Sequence, residues 1–161
     1  MPTPPLIPWA HALSWVCRLT DRAERLILHA PCVAVEGCGL LILGPSGSGK
    51  SALALRLMAY GAQLVADDRT EITRRGDRLI ASCPLAIRGR IEARGLGILA
   101  TPALPEAALT LAVDLAQEES HRLPPQRSVS FLGTTLDLVL GSRDHHFPAA
   151  IMCYLKGGRT A

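Results

Sequence analysis

Aromatic side chains are scarce in this chain, at 4% of its 161 residues, while 48% of the residues are hydrophobic. Aliphatic and alanine packing must therefore fill the core. A strong charge of either sign is also missing: the formal net charge is +3, and the arginines are scattered and do not cluster with aromatics. That pattern leaves no nucleic-acid footprint. Cys17, Cys32, Cys38, Cys83 and Cys153 are odd in number and none stands at C-x-x-C spacing. A disulfide framework and a zinc site are both excluded by that reading, and buried, reduced thiols are expected. No apolar run approaches membrane-spanning length. The opening MPTPPLIPWA is broken by prolines and has no basic n-region, so it is not read as a signal peptide and a cytoplasmic address is expected. The length suits one domain with a substantial core.

What is present is a complete phosphate-loop signature. In LLILGPSGSGKSALALRLM, Gly44, Gly49, Lys50 and Ser51 fit G-x-x-x-x-G-K-[ST], with an apolar strand before them and a helix-forming run after. Glycines at 44, 47 and 49 let the backbone bring its N–H groups against phosphate oxygens, and a helix starting near Lys50 adds the positive end of its dipole. In this reading Lys50 reaches the β/γ-phosphates and the Ser51 hydroxyl ligates Mg²⁺.

Around that centre, residues 1–24 are expected to form an extended arm or short helix, with Trp9 and Trp15 as packing anchors. Arg25 to Glu36 reads as one or two strands broken near Pro31, turning back through Glu36-Gly37-Cys38-Gly39 to pair with the phosphate-loop strand. His29 lies there as either a core side chain or a functional one. The helix from Gly49 to Tyr60 places Leu53, Leu57 and Tyr60 on one stripe and stops at Gly61. Gln63 to Ala66 predicts a strand parallel to the first, ending in Asp67-Asp68, which is placed for Mg²⁺, for proton abstraction, or as a solvated turn. Thr70–Arg74 and Arg78–Ser82 predict a hairpin. Ile87 to Leu99 (IRGRIEARGLGIL) reads as a charged, glycine-rich loop ending in an apolar strand. Further strands are expected at 110–115, 129–132 and 135–140, with an exposed connection at 116–127. A closing helix follows from Phe147 to Leu155, and residues 157–161 are expected to fray.

The order HAPCVAVEGCGLLILGPSGSGKS, LVADD, IEARGLGI, with Asp67 only seventeen residues after Lys50, resembles the catalytic domain of HPr kinase/phosphorylase over about residues 29 to 123. The resemblance implies an α/β fold of the HPr kinase/phosphoenolpyruvate carboxykinase-like phosphate-loop type, a mixed sheet with flanking helices, as one catalytic domain over residues 25–156. It implies phosphorylation of a serine on an HPr-like phosphocarrier in a bacterial regulatory circuit, with removal by phosphorolysis, and assembly as a homo-oligomer, hexameric in the family. By match, Gly44, Pro45, Ser46, Gly47, Ser48, Gly49, Lys50 and Ser51 bind ATP. His29, Lys50, Asp67 and Arg122 are catalytic, Asp67 as the base. Ser51 and Glu92 hold Mg²⁺, and Asp68 joins the metal shell or tunes Asp67. Ala52 stands where an acidic residue is usual, and the late segment associated with dephosphorylation has no match. Two other readings therefore stand beside the first: an ATP-binding regulatory module without turnover, and a small-molecule kinase.

Overall fold

The computed structural model describes residues 6–7 and 24–161. Its strands are β1 (Leu6–Ile7), β2 (Arg25–Leu28), β3 (Cys32–Val35), β4 (Cys38–Leu43), β5 (Gln63–Ala66), β6 (Thr70–Arg75), β7 (Arg78–Ser82), β8 (Arg90–Ala93), β9 (Gly97–Ala100), β10 (Glu106–Glu118), β11 (Arg127–Phe131) and β12 (Thr134–Gly141). The helices are α1 (Lys50–Ala59) and α2 (Phe147–Gly157), with a 3₁₀ turn at Leu85–Ile87. Apart from Leu6–Ile7, which runs parallel to β2, the expected N-terminal arm or short helix and its two tryptophans lie outside the described residues.

One mixed sheet runs β1-β2-β6-β7-β10-β4-β3-β5, and β12 joins it along β10 with β11 outside it. The phosphate-loop strand β4 sits near the middle. It pairs parallel with β10 on one side and antiparallel with β3 on the other. Its residues alternate between two apolar layers: Leu41 and Leu43 pack with Ile72, Leu79 and Phe131, while Leu40 and Ile42 pack with Leu53, Leu57 and Ile151. This double burial is why the strand reads as an unbroken hydrophobic run. Both helices cover the second layer, and the outer strands close over the first.

The β3–β4 hairpin turns at Glu36-Gly37, both at positive φ (51° and 81°), the conformation a two-residue hairpin needs. β5 is antiparallel to β3 and hence parallel to β4, with β3 between them. Its end therefore comes level with the phosphate loop.

The structure departs from the sequence expectations in four places. Tyr60 is exposed and only Leu53, Ala54 and Leu57 of α1 are buried, because the helix ends at Ala59 and Tyr60 turns out as its cap. Residues 87–99 form not a loop but an antiparallel ribbon, β8–β9, with its turn at Arg94-Gly95-Leu96. β10 extends well beyond residues 110–115, since its first residues pair with β7 and its last with β12. Lys156 and Gly157 complete α2, and the Arg159 guanidinium then donates to the Pro124 carbonyl.

Candidate phosphate-loop site

β4 delivers the chain to Gly44, and the loop closes with the Ser48 amide donating to the Pro45 carbonyl at 3.1 Å. Gly47 and Gly49 sit at φ +82° and +93°, and a Cβ on either would meet nothing within 4 Å, so the cradle is open above them. Gly44, at φ +151°, is tighter: a Cβ there would lie 2.4 Å from Ser48 Oγ. That hydroxyl is buried and has no hydrogen-bond partner. No side chain caps the start of α1 and no acidic residue occupies its first turn. The positive end of the helix dipole is thus left for an anion. Lys50 Nζ folds back over the loop, donating to the carbonyls of Gly44 (2.9 Å) and Pro45 (3.1 Å). Burial lowers its pKa below the ordinary lysine value, against the raising fields of Asp68 and Asp67.

β5 ends at Ala66, and Asp67 is the next residue. Its Oδ1 accepts the Ser51 hydroxyl at 2.9 Å, and its Oδ2 accepts the backbone N–H of Glu92 at 2.9 Å. A short strand thus carries a carboxylate to the first turn of the phosphate-loop helix, and the β8–β9 ribbon holds its other oxygen. Asp68 points outward, 77% exposed, with Oδ1 3.5 Å from His29 Nδ1 at the end of β2. The Glu92 side chain is exposed as well.

Lys50, Ser51, Asp67, Asp68, His29 and Glu92 are therefore linked through loop, strand tip and ribbon. Arg122 is not among the groups that these hydrogen bonds join. It lines a cavity of about 430 Å³ between β12, α2 and the 119–127 segment, together with Arg127, His146 and Tyr154. Among the described residues no group of three or more His, Cys, Asp and Glu side chains is placed to hold a metal ion. The oxygens gathered at the helix start, Ser51 Oγ and the Asp67 carboxylate, are nevertheless the donor type that Mg²⁺ takes, and such a site completes its shell with phosphate oxygens and water.

Two polar anchors were not singled out from the sequence. Asp114 is buried beside the loop strand, where it pairs with Leu43 and accepts the Ala116 N–H at 2.8 Å and the Gln117 side-chain amide at 3.3 Å. An aspartate inside the apolar run TLAVDL was its available signal. Glu119 gathers the His121 N–H and the guanidinium of Arg127, which hold its carboxyl down at about 2. No local pattern marks it. No helix among the described residues is long and apolar enough to cross a membrane.

Comparison with known proteins bears on the family and the fold. The family model for the HPr Serine kinase C-terminal domain matches residues 20–120. A protein of Clostridium tetani named HPr kinase/phosphorylase is 48% identical over 77 residues, which is 48% of this chain and 25% of that protein. One of the same name from Caldanaerobacter subterraneus is 50% identical over 78 residues, 48% of this chain and 26% of that protein. The matched region thus spans about a quarter of the length of these curated relatives. The solved Hpr(Ser) kinase/phosphatase of Coxiella burnetii superposes with a TM-score of 0.69 at 26% identity, covering 81% of this chain and 93% of that one. The matched residues 20–120 include the phosphate loop and the acidic strand tip, and the chain belongs to the family of the HPr serine kinase C-terminal domain.

Proposed function

We propose that this chain transfers the γ-phosphoryl group of ATP to a serine hydroxyl on an HPr-like phosphocarrier protein. The observation that carries the reading is the contact between Asp67 Oδ1 and Ser51 Oγ, 2.9 Å, which joins an acidic strand tip to the phosphate loop. Phosphoryl transfer asks for an in-line acceptor, neutralised charge and one proton removed. The backbone N–H groups of the loop, other than at Pro45, and the Lys50 ammonium supply the charge, and Asp67 receives the proton. Its Oδ1 already accepts a hydrogen bond from the Ser51 hydroxyl; an acceptor serine held at the carboxylate gives up its proton to it as its oxygen bonds the γ-phosphorus and ADP leaves. The Glu92 amide on Oδ2 fixes the carboxylate's direction.

When bound, Mg²⁺ would neutralise charge on the β- and γ-phosphates. Ser51 and the neighbouring carboxylates of Asp68 and Glu92 are the residues to hold it. His29 orients Asp68 across 3.5 Å. Arg122, which lines the cavity beside α2, joins the site from the substrate side. The reverse reaction, phosphorolysis, a cytoplasmic setting and homo-oligomeric assembly belong to the same proposal.

The test is incubation with ATP labelled on its γ-phosphate, Mg²⁺ and a purified HPr-type protein. Phosphoserine on the phosphocarrier is the expected product, and label on a metabolite alone would favour a small-molecule kinase. A nucleotide-binding module is the second reading, because both Asp67 oxygens are already engaged by donors of this chain. It predicts bound ATP with no phosphoserine.

A further inference from the structure

The ribbon β8–β9 has two unlike faces. Ile91 and Ala93 are buried, Ile91 in the layer that includes Leu53 and Leu57 of α1. Alternation along a strand sends Arg90 and Glu92 to the opposite face, and the register sets Ile98 directly across from Glu92. Directly opposed side chains share one face of the ribbon with their Cβ atoms about 5 Å apart. On that face exposed apolar groups stand beside the charges of Arg90 and Glu92: Ile98 is 73% exposed and Leu96, in the adjoining turn, 79%. Leu85 and Ile87, on the 3₁₀ turn leading into the ribbon, are exposed too. Four of the six exposed large hydrophobic side chains of the described residues thus fall within residues 85–98.

Position gives this patch its meaning. The Glu92 amide binds the Asp67 carboxylate at 2.9 Å, so Ile98 stands one strand away from the proposed base. Exposed Arg90 and Arg94 flank it, and neither has an ion-pair partner among the described residues. A nucleotide occupying the glycine cradle has no use for an isoleucine on the outer face of a ribbon. A macromolecule bringing a hydroxyl to Asp67 comes up beside a ribbon bonded directly to that carboxylate.

We infer that the outer face of β8–β9, Leu96 and Ile98 with Arg90 and Arg94, is the docking surface for the protein that carries the acceptor serine. The partner fitting this chemistry presents its serine beside an apolar patch rimmed by carboxylates. Apolar contact supplies affinity, and the arginines set orientation and association rate. The inference rests on the proposed protein-kinase reading and names the surface by which that site meets its substrate.

Calorimetric titration of a purified HPr-type protein into the whole chain tests it separately from turnover. Wild type should bind. Ile98→Ser and Leu96→Ser should each weaken binding by about tenfold, the scale of one large aliphatic group withdrawn from a contact. Arg90→Glu should weaken it more at low salt than at high salt. Tyr60→Ser, at the far end of α1, should leave it unchanged, and ATP affinity should be the same in all four variants. Weakened binding upholds the surface whether or not phosphoserine forms, so a failed transfer assay counts against the kinase reading alone. Unchanged affinity in both Ile98→Ser and Leu96→Ser, or no binding by wild type, overturns the docking surface. A loss of sedimentation mass in those variants with unchanged affinity for the HPr-type protein overturns it as well, since the face would then join copies of this chain.

Discussion

At the scale of single residues, the site depends on how few groups do several tasks. Lys50 and Lys156 are the chain's two lysines, and only Lys50 folds over the loop carbonyls. ATP should therefore protect Lys50 from an amine-reactive reagent while Lys156 is modified at an unchanged rate, a result read by peptide mass spectrometry. Lys50→Ala should weaken both nucleotide binding and turnover. Among the described cysteines, burial pushes the thiols of Cys32 and Cys83 up, whereas Cys153 is exposed. Maleimide at pH 8 should label Cys153 in the native protein and reach Cys32 only after denaturation. The placing of Lys50 and Ser51 at the start of the helix was legible because the loop motif dictates it through backbone geometry. The Glu92 amide was not legible as the partner of Asp67, because a backbone donor has no letter in the sequence.

At the scale of elements, β4 and β10 form the joint on which the loop stands. Gly39 lets them approach: a Cβ there would lie 2.8 Å from the Ala108 carbonyl oxygen, backbone that cannot swing aside. Gly39→Ala should lower stability by about 1–3 kcal/mol, seen as a lower denaturation midpoint at an unchanged m-value. The segment after β10 is pinned instead by charge. Glu119 has a folded-state value of about 2, below its ordinary 4.5. Its stabilising contribution is thus complete above about pH 4.5 and is lost as pH falls through about 2. Replacing it, as in Glu119→Gln, should flatten stability across that acid window and leave the trend near neutrality unaltered.

The same elements show what patterning reveals and what it hides. β4, β5 and the β11–β12 hairpin were visible as apolar runs between glycine turns. Both ends of β10 were hidden, because Glu106-Ala107-Ala108 and Ala116-Gln117-Glu118 have little strand preference and are extended only by pairing with β7 and β12. The β8–β9 ribbon was hidden by its arginines and glycines. Its strands are half-buried on α1, a tertiary condition that a local reading takes for a loop.

At the scale of the whole molecule, one sheet brings the ends of β4 and β5 level and fixes the cradle and the carboxylate relative to each other from opposite sides of β3. The solved Coxiella burnetii protein shares this fold over 93% of its chain at 26% identity. The architecture therefore tolerates wide substitution. Arg122 lies past β10, outside the hydrogen-bonded group around Asp67. Its motif follows the others in sequence, yet the chain past β10 carries it to the cavity beside α2. The central claim, that Asp67 takes the acceptor's proton beside a bound triphosphate, is met most directly by single-turnover transfer from saturating ATP to an HPr-type protein, comparing wild type with Asp67→Asn. The account predicts a rate lower by about 10²–10⁴-fold with ATP affinity nearly intact. An Asp67→Asn enzyme that transfers at the wild-type rate would contradict it.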